Sequence, residues 1–295
     1  MMSRGQSRQE RANHIPTLRA RQLALELTRR REATNLSREE VAGRLEWSTS
    51  TVFRIETGRS VPQPRSMRAL LELYGIAGTE REGLLQLARE ARQPGWWQSF
   101  RDVLPDPYAA YIGFESGAAS IQNFEPLVIP GLLQTEEYAR ATFHGGPREL
   151  NREDVERRVQ VRTTRQKILT QPERPRLWAV IDEAAIRRIV GTPKIMREQL
   201  HRLIAAADEG RTTLQVVPFR AGAHAGTTGP FVILGFPQPT DPNAVYIETL
   251  AGEIYLEDPE DVTLYMIAFD RLVASALHPD ESLTLIEQAA SDLPY

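Results

Sequence analysis

The stretch that most constrains the fold runs from Leu36 to Arg59, LSREEVAGRLEWSTSTVFRIETGR, and its pattern predicts two short helices joined by a tight turn. Ser37 followed three residues later by Glu40 is a capping box, after which Val41, Ala42 and Leu45 fall on one face of a single short helix. The small Ala42 stands where a second helix must approach closely. Ser48 is a second N-cap residue; beyond it Val52 and Ile55 face inward, leaving Thr49, Ser50, Thr51 and Arg54 outward. A short helix that offers hydroxyls and an arginine from its N-terminal half has the make-up of a recognition helix for the DNA major groove.

The run resembles the helix-turn-helix of the lambda-repressor-like (XRE) superfamily, an all-α domain of about five helices that carries the motif second and third. The matching residues are Ala42, after the apolar Val41, and the tail Ile55-Glu56-Thr57-Gly58. The resemblance implies a structural ion pair between Arg31 and Glu56, with a solvated Glu56 as the bland alternative, and a phosphate contact for Arg38. Arg54 and the Thr49 to Thr51 edge, with Ser48 at its start, are the candidate base readers. Arg59 and Arg65, in and after a proline-rich loop, are candidate phosphate contacts. Four residues depart from the pattern. Glu46 replaces a turn glycine, at a cost of about 1 kcal/mol for a positive φ. Trp47 replaces an aliphatic residue. Phe53, in place of a small or polar residue, either reads a thymine methyl or packs. Arg30 replaces leucine, so its stem covers the core while its charge snorkels outward.

Charge is unevenly distributed. Residues 1–93 hold 17 Arg and Lys against 11 Asp and Glu, a net of +6, and the remainder holds 19 against 28, a net of −9. A basic head and an acidic body fit a unit that meets phosphates and a unit that does not. The absence of cysteine excludes disulfides and thiolate chemistry. No apolar run approaches the ~18 residues of a membrane span, and the N-terminus lacks the apolar core of a signal peptide. A cytoplasmic, nucleoid-associated protein with no membrane contact is therefore expected.

Residues 1–16 read as a disordered arm, 17–93 as the helix-turn-helix domain and 94–295 as an α/β domain, with the boundary at Pro94-Gly95. Trp96 and Trp97 follow it, as cement between the domains, as an anchor for the start of the second core or, less simply, as an aromatic cage. Tyr111 to Val128 alternates enough to suggest extended segments. Thr135 caps a helix, a charged helix runs from Asn151 to Leu169, and further helices are expected over 182–190, 193–207, 259–276 and 282–290. Interspersed β-rich runs at 177–181, 214–217, 231–234, 244–247 and 253–256 imply a mixed sheet with helices.

The phrases VIPGLLQTEEYARA (Val128 to Ala141), IDEAAIRRIVG (Ile181 to Gly191) and LQVVPFRAGAHAGTTGPFVILGF (Leu214 to Phe236) resemble the large C-terminal domain of actinobacterial XRE regulators. That family includes WhiJ-like developmental regulators and antitoxin-like members often encoded beside a small partner protein. The sequence holds no nucleophile elbow, Walker loop or H-E-x-x-H motif, so an enzyme is not expected; the resemblance implies a transcriptional regulator. Its partners would be double-stranded DNA, a second copy of itself joined mainly through the second domain, and either a small-molecule effector or a small protein; an antitoxin is the alternative. A DNA-tethered enzyme with a degenerate phospholipase-D-like domain ranks lower, because neither His201 nor His224 is followed by the lysine such chemistry needs. Glu115, Glu183, Glu248 and Glu257 are candidate paired carboxylates. Trp96, Trp97, Glu115, Gln134, Glu183, Phe219, His224 and Glu248 are the speculative effector or partner contacts. No cofactor and no metal are expected, since the five histidines are scattered. The Gly222 to Gly229 run either cradles a phosphate or, more simply, turns the chain between two strands.

Overall fold

A computed structural model describes residues 18–93, 95–100, 102–147, 149–237, 242–250 and 252–294; the arm expected over 1–16 lies outside them. The chain divides into two compact units, Met1–Arg101 with Pro105–Phe114, and Asp102–Leu104 with Glu115–Tyr295.

Among the described residues, the first unit opens with helices α1 Leu18–Ala33, α2 Arg38–Leu45, α3 Thr49–Glu56, α4 Pro64–Leu73 and α5 Gly78–Glu90. Their ends are written in local chemistry. Asn35 leaves α1 in the left-handed region (φ 56°), Ser37 caps α2, Ser48 caps α3, and Pro64 opens α4 where its missing N–H costs nothing. Leu23, Leu27, Val41, Ala42, Val52, Ile55, Met67 and Leu70 close one core. Arg30 reaches outward to Glu80 at 2.6 Å.

A 3₁₀ turn, Trp96–Phe100, and helix α6, Asp106–Glu115, continue this unit, so its boundary falls later than the Pro94-Gly95 break. The extended conformation expected from Tyr111 is replaced, up to Glu115, by α6. Ala109, Ala110, Tyr111, Ile112 and Phe114 are all buried. A helix apolar on every side has no 3.6-residue rhythm to read, and its sequence passes for a buried strand. Trp97 lies against Gly113, where an added Cβ would sit 3.1 Å from the indole ring.

The second unit is a six-stranded mixed sheet in the order β3-β2-β1-β4-β5-β6. Its strands are β1 Ser120–Glu125, β2 Arg176–Asp182, β3 Thr212–Val217, β4 Phe231–Gly235, β5 Ala244–Thr249 and β6 Gly252–Leu256. The first three are parallel, and β4, β5 and β6 attach antiparallel, so β5 runs in the direction of β1. The helices are α7 Glu136–His144, α8 Arg152–Gln166, α9 Glu183–Arg187, α10 Pro193–Asp208, α11 Pro259–Ser275 and α12 Pro279–Ser291. Helix α9 is shorter than the 182–190 expected: Asp182 is its cap and Arg188 is already extended.

Strand alternation puts Phe124, Val180, Val217, Phe231 and Val245 on one face, where Val262, Phe269 and Leu272 of α11 cover them. The outer edge of β3 is also covered. Val216 N–H donates to Ser282 Oγ at 3.0 Å, and Val216 O accepts from Leu277 N–H at 2.9 Å, which removes a sticky strand edge.

Candidate nucleic-acid interface and sheet-edge cluster

Helix α3 is held by groups on either side of it in sequence. The capping box at α2 is complete: Ser37 N–H donates to Glu40 Oε2 at 2.8 Å and Glu40 N–H to Ser37 Oγ at 3.2 Å. Those bonds also hold the Glu40 carboxyl below its usual range. Helix α2 stops because Glu46 adopts φ 56°, which lets Trp47 N–H donate back to Ala42 O at 2.8 Å and redirects the chain into α3. Ser48 Oγ then accepts from Thr51 N–H at 3.2 Å. Val52 and Ile55 are buried, while Ser48, Thr49, Ser50 and Arg54 are exposed and Thr51 is half-buried.

The far end of α3 is fixed by Glu56, whose side chain is 1% exposed. Its Oε1 meets Arg31 Nε at 2.6 Å and its Oε2 meets Arg38 Nε at 2.6 Å. Arg31 also donates to Leu36 O at 2.9 Å, and the Glu56 bond raises the pKa of its guanidinium above the ordinary arginine value. One buried carboxylate therefore ties α1, α2 and α3 together. The structure gives Arg38 this bond in addition to any solvent-side role.

Phe53 stands 40% exposed. The guanidinium carbons of Arg38 and Arg59 lie 5.5 and 5.9 Å from its ring centroid. It is the centre of a cation–π group that gathers two positive charges along the exposed side of α3. Arg54 approaches Thr51 Oγ1 at 3.5 Å, and Arg54, Arg59 and Arg65 have no acidic partner among the described residues. Exposed hydroxyls flanked by uncompensated arginines make a surface shaped for base edges and phosphates.

In the second unit, three of the sequence-named residues meet at the C-terminal end of β2. His224 Nδ1 accepts from Gly226 N–H at 3.2 Å, which leaves Nε2 to face Asp182 Oδ2 at 3.2 Å. Glu183 accepts from Phe219 N–H at 2.8 Å and meets Arg187 Nε at 3.2 Å. Gly226 is required by close approach, because a Cβ there would lie 2.1 Å from the Phe124 ring. The Gly222 to Gly229 run does connect β3 to β4, pinned over the strand ends by these bonds.

Glu248 joins a different group around Glu125, which no motif in the sequence marks. Glu125 is half-buried. Burial, then the negative charge of Glu248, pushes its pKa up to about 8, against the pull of Arg162, the Asn123 amide and Arg165. Arg162 is shared with Gln134 Oε1 at 3.0 Å, and Gln134 Nε2 donates to Ile129 O at 2.8 Å. Glu115 and Arg165 form a buried pair at 2.7 Å, so Glu115 is a structural anion here. Trp96 and Trp97 belong to the first unit, their rings edge-to-face at 6.0 Å. The signal for Glu125 was strand parity: it shares a face with buried Ile121 and Asn123.

Among the described residues no three metal-ligating side chains converge, and no helix is long and apolar enough to cross a membrane.

Residues 22–84 match a helix-turn-helix domain family, and residues 108–288 match a domain of unknown function, DUF5753. No curated protein and no solved structure matches the chain. The first match, on a unit with this cap-turn-cap geometry, makes the protein a DNA-binding regulator of helix-turn-helix type. The second spans more than half of the sequence, and the chain belongs to the DUF5753 family.

Proposed function

We propose that the protein is a sequence-specific transcriptional regulator of the XRE, WhiJ-like kind, whose α/β unit senses a small molecule and carries out no catalysis. The observation that supports DNA reading best is the uncompensated polar edge of α3, with Arg54 beside Ser48, Thr49, Ser50 and Thr51. Arg54 reads a base edge; Arg38, Arg59 and Arg65 contact phosphate. A single short helix buries too little surface for useful affinity, so two copies bind half-sites about 34 Å apart or a multiple of it.

The sensing part of the proposal rests on Glu125, Glu248 and Arg162, titratable groups that interact electrostatically near the C-terminal ends of β1 and β5, where ligands of open α/β sheets commonly bind. A small partner protein is the second reading, favoured by exposed Leu127, Ile189 and Phe219, which follow β1, α9 and β3.

Genome-wide occupancy of the tagged protein, repeated with Arg54→Ala, tests the DNA reading. Discrete peaks that share a paired motif and vanish in the variant are expected. Arg54→Ala is expected to cost about 1–3 kcal/mol of discrimination at one base position. Unchanged peaks in the variant overturn the assignment of Arg54.

A further inference from the structure

Helix α11 packs Val262, Phe269 and Leu272 onto the sheet. At 3.6 residues per turn, Glu260, Leu264, Ile267 and Arg271 fall on its opposite side. All four are exposed, Leu264 by 63% and Ile267 by 45%. Their spacing of four, three and four residues is that of a seam between paired helices.

The order along the stripe is acid, apolar, apolar, base. A two-fold axis between Tyr265 and Met266 turns this order onto its own complement. Leu264 then meets Ile267 of the second copy, Glu260 meets Arg271 of the second copy, and each contact occurs twice, as a two-fold interface requires. A parallel arrangement would instead set Glu260 against Glu260. Neither Glu260 nor Arg271 has an ion-pair partner among the described residues, so both charges are available.

We propose that the exposed side of α11 is the self-association surface of this chain, with two copies pairing antiparallel through Glu260, Leu264, Ile267 and Arg271. For its purpose the surface rests on the two-copy operator reading given above; its geometry does not. The helix has 17 residues and a length of about 25 Å, so the pair lies at the small end of stable interfaces and dissociates on dilution. DNA that carries two half-sites strengthens it by bringing both copies to one molecule.

The test is sedimentation equilibrium of the full chain without DNA, across a concentration series, with far-UV circular dichroism to verify folding. Arg271→Glu and Glu260→Arg are each expected to raise the dimer dissociation constant roughly tenfold. The double variant Glu260→Arg with Arg271→Glu is expected to return it to within about threefold of the wild type, since it restores both ion pairs. A wild type that stays monomeric, single variants that dimerise like the wild type, or a double variant no better than the singles would each overturn the proposal. None of these readings uses DNA, so the Arg54 result stands or falls separately.

Discussion

Glu56 in the first unit and Glu125 in the second both lie among arginines, and the chain uses them in opposite ways. Glu56 has both oxygens filled, one by Arg31 and one by Arg38. Near Glu125 the arginines have other commitments, Arg162 with Gln134 and Arg165 with Glu115, and Glu248 adds a second negative charge. The first arrangement locks a fold. The second leaves a carboxyl that takes up and releases a proton near neutrality. Burial alone does not decide what a carboxyl does; the unclaimed valence of its neighbours does.

The largest effect that breaks this contrast is expected at Glu56. Glu56→Ala strands two guanidiniums, one of them mostly buried, and is expected to destabilise the first unit by about 3 kcal/mol in urea unfolding. A loss under 1 kcal/mol would show that water replaces the carboxylate freely.

Glu125→Gln comes next. A carboxyl whose pKa is higher in the folded than in the unfolded chain binds more protons when folded. Its stabilisation is full below the unfolded value of about 4.3 and is lost as pH rises toward about 8. The wild type is therefore expected to lose about 2 kcal/mol of second-unit stability between pH 5 and pH 8.5 through this group, allowing for its partial solvent contact. Thermal melts of Glu125→Gln across that range are expected to lack this component. Parallel pH profiles for the two proteins would remove Glu125 from the contrast.

The smallest effect sharpens the comparison as a control. Glu46 holds φ 56°, a conformation that glycine adopts without strain. Glu46→Gly is expected to stabilise the first unit by about 0.5–1 kcal/mol in urea unfolding and to leave the pH profile of the second unchanged.

The parts of the molecule visible in the sequence are those whose determinants are local. Ser37 with Glu40, Ser48 with Thr51, and the turn at Glu46 each specify their geometry within four residues, so α2 and α3 can be read directly. Five strands and most helices of the second unit follow from apolar, β-rich runs and from helical patterning with caps such as Thr135. Helix α6 is hidden because its apolar residues surround it. The group at Glu125 is hidden for a different reason: Arg162 lies on α8 and Glu248 on β5, and no spacing rule links positions so distant in the chain. The same distance misdirected Glu115, whose partner Arg165 could not be seen from its own neighbourhood.

The central position of β1 has a further consequence, during synthesis. Asn123 donates to Phe231 O, 108 residues later in the chain, and β1 is flanked by a strand from the middle of the unit on one side and from its last third on the other. Helices α1 to α5 complete their core from one continuous stretch of about seventy residues that leaves the ribosome before the second unit does. The nascent first unit can close on itself as it emerges. The nascent second unit must keep its middle strand half-covered until β4 arrives, and that interval is where its chain is most exposed to wrong pairing and to chaperones.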